Sequence, residues 1–340
     1  VSQPDRRGML STTAQVAGLV AVVSVPAAVV ALTPLAPAVA LLFVGVVPAF
    51  LALPHGRRAA VVGVIATSAL VGAVELVKPW PLAAAALMVL VGVVVGATAA
   101  RGWQNTAAIS AGWPATLLIA APFRVEGLAW LADGPWPVLA PIGLSLLGGA
   151  WTILIGSLFL TGVPASPLEA LDGRTAARYG AGLAFLLGLA AYLTATWFPG
   201  TMAGWVLLTI LVTVRPGASE TKRRLLARSA GTIAGGTAAA LLALVLPIPM
   251  ILVLAGLVAM IVSIAIQLRG VHYAWYVTVL TAGVVLLNAR GENVLPVELQ
   301  RVGSTALGAV LIVALILVAE TALRARPFRL NHRRPDIRRQ

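Results

Sequence analysis

The chain of 340 residues has no cysteine, three histidines and eleven acidic residues. Without a thiol there is no disulfide framework, no thiolate nucleophile and no iron–sulfur centre. His55, His272 and His332 are far apart, and HExxH, Walker A, GxSxG and paired-carboxylate patterns are all missing. The sequence therefore reads as non-enzymatic, with no cofactor and no metal. An ATP-driven process would need a separate subunit. The carboxylates fall in loops, tails or near the ends of apolar runs, Glu75 and Glu298 coming closest to membrane depth. A dedicated proton relay in mid-membrane lacks its groups. Charged residues make up only 10% of the chain, and the connections 123–137, 163–177 and 290–301 are too short for a soluble domain.

What remains is apolar. Sixty per cent of the residues are hydrophobic. A hydrocarbon core of about 30 Å needs about 20 apolar residues in a helix. Candidate spans lie at 13–33, 37–53, 59–77, 82–100, 105–122, 138–162, 178–198, 201–214, 229–246, 248–267, 271–289 and 302–320. The fold class is an all-α polytopic membrane protein with about twelve transmembrane helices. Arg6 and Arg7 ahead of an apolar run suggest a secretory signal, but the run is long and eleven more follow, so it is read as an uncleaved first helix.

Charge sets the expected orientation. Of the 24 Lys and Arg, 20 fall on one side of this arrangement, and only Lys78, Arg124, Arg290 and Arg301 fall on the other. Basic loops stay cytoplasmic, so both termini are expected there. The net charge of +13 is then chiefly a topological signal. The basic tail, 321–340, suits anionic lipid headgroups rather than nucleic acid, because it adjoins a span and has no solvated basic domain beside it.

The spacing of the basic pairs suggests a duplication. Arg57-Arg58 corresponds to Arg223-Arg224 at an offset of 166, and Arg101-Gly102 to Arg269-Gly270 at 168. Pro54 corresponds to Pro216 at 162, which places an insertion in the second loop. The expected domains are a cytoplasmic segment 1–12, a first six-helix repeat 13–162, a linker 163–177, a second repeat 178–320 and the tail. An even number of spans per unit makes the repeats parallel, and a substrate path would lie on their pseudo-two-fold axis and draw residues from both halves.

Arg215 lies at the inner end of a short span and precedes Pro216, whose ring breaks a helix. A guanidinium at such a break suits a carboxylate, since it pairs bidentately and keeps its charge. Arg223, Arg224 and Arg228, with Arg57 and Arg58 through the repeat, are further candidates; for all of them headgroup snorkelling is the alternative. Arg269, His272, Tyr273 and Tyr276 share one face by their i, i+3, i+4, i+7 spacing, where an aromatic carboxylate would find charge and rings. An interfacial aromatic belt is the competing reading. Arg101, with Trp103 close by, is the first-half counterpart of that cluster. Gly231-xxx-Gly235 and Gly92-xxx-Gly96 are read as helix-packing faces.

The segment Gly204-Trp205-Val-Leu-Leu-Thr209-Ile-Leu-Val-Thr213-Val-Arg215-Pro216, followed by Arg223-Arg224 and Arg228-Ser-Ala-Gly231-Thr232-Ile-Ala-Gly235, resembles the fusaric acid resistance-like, or aromatic acid exporter, superfamily. Arg301-Val-Gly303 and Gly308 fit the same pattern. The first half resembles it only in outline, with Leu53 where the family pattern has arginine before the proline. The resemblance implies export of organic acids across a bacterial inner membrane, and plant relatives conduct malate and other anions. Many members carry a cytoplasmic domain between the halves, where this chain has only 163–177. The expected partners are a small organic anion and membrane lipid, with a homo-oligomer or an accessory efflux subunit as further candidates. A non-transporting scaffold of envelope machinery is the alternative function.

Overall fold

The computed structural model describes residues 18, 22–30, 33, 35, 38–122, 128–159, 168–246, 248–268, 272–288, 303–314 and 317. The 1–12 segment, Arg124, Arg269, the 290–301 connection and the 321–340 tail lie outside the described residues. Every regular element among those residues is helical. In chain order these are α1 (22–30), α2 (Val39–Ala52), α3 (Arg57–Val77), α4 (Pro81–Ala99), α5 (Gln104–Leu117), α6 (Trp136–Phe159), α7 (Gly173–Trp197), α8 (Trp205–Thr213), α9 (Ala218–Val245), α10 (Pro249–Leu268), α11 (Tyr273–Asn288) and α12 (303–314). By length and composition α3, α4, α6, α7 and α9 can cross a membrane. Their outer faces carry large apolar side chains such as Leu82, Leu90, Leu147, Leu158 and Leu244, as lipid-facing helices do.

Small residues decide which helices touch. A Cβ on Gly96 would collide with the Gly180 backbone, and one on Gly92 with Ala184, so α4 and α7 meet backbone to backbone. Gly231 and Gly235 bring α9 equally close to Ala274 and Thr278 of α11. Gly204 does the same for the start of α8 against Thr116 of α5. The short α8 is thereby drawn into the interior, with Val206, Leu207, Ile210 and Leu211 inaccessible.

The starts of α7 and α9 differ from the sequence expectation, and the second reshapes the site. Helix α7 starts at Gly173 because Asp172 caps it, Oδ1 accepting from the Arg174 and Thr175 amides at 3.1 and 3.0 Å. The 215–228 stretch, expected as a basic loop, is a break at 214–217 followed by the first turns of α9. Its residues favour helix, Glu220 complements the helix N-terminus, and Glu220 pairs with Arg224 one turn on at 3.1 Å. Charge lowers the hydropathy of these turns without ending the helix.

Candidate functional site

Helix α8 ends at Thr213, and Val214 turns the chain to extended geometry at φ −66° and ψ 127°. Pro216 favours this break, since it disfavours helical geometry at Arg215. Thr221, on the first turn of α9, satisfies the stranded backbone. Its Oγ1 accepts from the Arg215 amide at 2.9 Å and donates to the Arg215 carbonyl at 3.1 Å. The Arg215 side chain then folds back over the C-terminal end of α8, where a helix favours a cation, and Nη2 donates to the Val212 carbonyl at 3.2 Å.

Arg215 is 6% exposed, and its Nε and Nη1 are buried with no hydrogen-bond partner. Burial, and then the positive charge of Arg224, pull its guanidinium below its ordinary value. Arginine nonetheless keeps its proton in proteins. The side chain lines a cavity of about 190 Å³, together with Arg224 and Arg228 of α9 and Tyr273 and Tyr276 of α11. Ile109 and Trp113 of α5 and Trp205 of α8 add apolar and aromatic wall, with Leu208, Val212 and Leu280. The cavity draws on chain from both sides of the 163–177 connection.

The cavity is cationic and aromatic together. Arg228, also buried, donates from Nε to Thr209 Oγ1 at 3.2 Å. Arg224 pairs with Glu220 and stands 5.3 Å from the centre of the Tyr273 ring, within cation–π range. Among the described residues no carboxylate lines the cavity, so three guanidinium groups face it, with Glu220 beside Arg224. The Tyr273 hydroxyl is buried without a partner. Its ring lies 5.9 Å from that of Tyr276, and the Trp113 and Trp205 rings meet edge to face at 5.8 Å and 72°.

Of the residues singled out from sequence, Arg215, Arg224, Arg228, Tyr273 and Tyr276 share this cavity. Arg223 is exposed on another face of α9, and His272 is exposed at the start of α11, its Nδ1 accepting from the Ala274 amide at 3.4 Å. Arg57, Arg58 and Arg101 are exposed and line no part of the cavity. Arg269 lies outside the described residues. Sequence reasoning missed Ile109 and Trp113 on α5, and it used Trp205 only as part of a motif. The i, i+4 spacing of Ile109 and Trp113 puts them on one face, but nothing in that spacing says that the face meets α8.

Residues 189–322 match the family model described as fusaric acid resistance protein-like. This supports the resemblance carried by Gly204 to Gly235. The matched stretch holds Trp205, the three cavity arginines and both tyrosines, and leaves out the α5 wall. No curated protein and no solved structure matches the chain.

Proposed function

We propose that this protein is a membrane transporter, an exporter or anion-permeable channel for small organic acids, and that the Arg215 cavity seats the carboxylate. The observation that carries this reading is the pair of buried, unpartnered Arg215 nitrogens. A buried donor left unsatisfied costs about 1–3 kcal/mol, more when charged. An anion accepting from Nε or Nη1 lowers that penalty through a charge-assisted hydrogen bond of the kind guanidinium makes to carboxylate. The Tyr273 hydroxyl is a further donor awaiting an acceptor.

Size and lining favour an aromatic acid. An apolar cavity of about 150 Å³ holds benzene, so about 190 Å³ leaves room for one ring and its carboxylate. The Trp113 and Trp205 pair offers the ring an edge and a face. Access to Arg215 from the basic side would pass Arg224, whose contacts with Glu220 and Tyr273 are exposed enough to yield to an incoming anion. The same reading takes the chain as twelve spans in two parallel six-helix repeats, with both termini cytoplasmic, in a bacterial inner membrane.

Flux from vesicles reconstituted with the purified protein tests it. Benzoate should move faster than cyclohexanecarboxylate, and the neutral amide benzamide should gain nothing over protein-free vesicles. If no carboxylate moves faster than in protein-free vesicles, the transport reading is wrong.

A further inference from the structure

A second concavity lies apart from the Arg215 cavity, between α3, α4 and α5. Its volume is about 590 Å³, and it is walled mainly by apolar side chains such as Val62, Leu70, Leu87, Leu90 and Val94. That size is within the range of about 300–1,000 Å³ typical of organic-ligand pockets. Helices α3 and α4 are both apolar and long enough to cross a membrane, so the groove opens at bilayer depth. One end is polar and cationic: Arg58 and Trp103 line it there, the Trp103 ring lying 4.8 Å from that of His55 and tilted by 59°. Neither Arg57 nor Arg58 forms an ion pair among the described residues, and both are exposed.

From Arg58 to Leu70 the groove follows α3 for about 18 Å, close to the roughly 15 Å of one leaflet's hydrocarbon. A helix about 10 Å across and 18 Å long would occupy roughly 1,400 Å³, more than the groove encloses. A hydrocarbon chain, about 5 Å across by van der Waals separation, needs roughly 350 Å³ over that length. Ser110 adds an independent mark. It lines the groove about 9 Å into α5 from the Trp103 end, and its Oγ is buried with no hydrogen-bond partner. An ester carbonyl is the acceptor a lipid would bring to that depth.

We infer that this groove is a binding site for an anionic phospholipid of the leaflet on the Arg58 side, with an acyl chain between α3 and α4, an ester carbonyl at Ser110 and the phosphate at Arg58. The site is separate from the anion cavity and takes its ligand from the bilayer laterally.

Native mass spectrometry of the full chain in mild detergent tests this, with phosphatidylglycerol and phosphatidylcholine of identical acyl chains as probes. Wild type should retain one phosphatidylglycerol and hold phosphatidylcholine about fivefold more weakly, the contribution expected of one basic side chain near a headgroup. Arg58→Gln should abolish the preference while chain retention persists. Ala107→Phe, which fills the groove from α5, should lose both lipids. Arg174→Gln, exposed at the start of α7, should behave as wild type. Equal retention in wild type and Ala107→Phe overturns the inference, as does an unchanged preference in Arg58→Gln. A lipid-free dimer dissociated by Ala107→Phe would also overturn it, making a second copy the occupant. If Ala107→Phe fails to fold, the headgroup preference of wild type against Arg58→Gln still decides, because Arg58 is exposed.

Discussion

Replacing Arg215 by Gln separates a functional arginine from a structural one, because the two roles predict opposite effects on stability. The side chain makes one hydrogen bond, to the Val212 carbonyl, and leaves two nitrogens buried and unpaired. Its loss removes one bond of about 1 kcal/mol and a helix-terminus interaction of about 0.3–1 kcal/mol. Against these stands the desolvation of a buried charge, several kcal/mol even after relaxation. Thermal stability without ligand should therefore hold or rise. Binding should move the other way. Hydrogen bonds to charged groups contribute about 1.5–3 kcal/mol each, and losing about 2–3 kcal/mol weakens benzoate about 30- to 150-fold. Arg215→Lys should recover only part, since it restores charge without the planar fork. Benzoate flux from vesicles and ligand-induced thermal shift measure both quantities at matched protein levels, with exposed Arg174→Gln as control. Unchanged flux in Arg215→Gln, or a large loss of unliganded stability with ligand affinity retained, would refute the reasoning and return Arg215 to a packing role.

Three further outcomes follow from the same geometry. With no native cysteine, a Cys at exposed Ser219 should be labelled by an impermeant thiol reagent only after permeabilisation; labelling in intact cells would overturn the proposed orientation. Gly235→Leu should destabilise by about 1–3 kcal/mol or more, because a side chain there meets the Thr278 carbonyl. Gly217→Ala, with open space around it, should melt as wild type. Thr221→Val keeps the shape but leaves the Arg215 amide and carbonyl unpaired, so it should cost about 2 kcal/mol or more and lower flux. Thr221→Ser, which keeps the hydroxyl, should restore most of both.

Hydropathy located the helices that lipid would solvate and misplaced those whose ends are charged. The expected 59–77 and 82–100 lie within two residues of α3 and α4, because apolar composition and helix coincide there. At α9 they part company. Eleven helical residues precede the apolar run, and charged side chains occur among them because they stand beyond it, not because the backbone unwinds. The cap at Asp172 was readable from an acidic residue followed by Gly-Arg-Thr, yet the 178–198 run, chosen for its hydropathy, begins five residues late. Two glycines related by the offset of Arg101 and Arg269 also pack differently. Gly231 presses on α11, whereas Gly63, at an offset of 168, faces Pro48 and Ala52 of α2 at ordinary distances. Spacing alone does not say which neighbour each glycine will meet.

The same missed helix start explains why the sequence offered Arg223, Arg224 and Arg228 as equals. In a loop they are equivalent cations. On a helix turning about 100° per residue, Arg224 and Arg228 stand about 40° apart, while Arg223 is about 100° from one and 140° from the other. The buried positions Thr221, Leu225, Arg228, Thr232 and Gly235 trace that inner stripe, with Arg224 at its flank and Arg223 outside it. Extending α9 back to Ala218 from propensity and the Glu220–Arg224 spacing would have ranked the arginines without coordinates. Trp113 has no such route. It reaches the cavity because Gly204 lets α8 settle against Thr116 of α5, a contact between segments about 90 residues apart that no local period encodes. Charge in the site follows from helix phase and was recoverable. Its aromatic wall follows from packing between distant segments and was not.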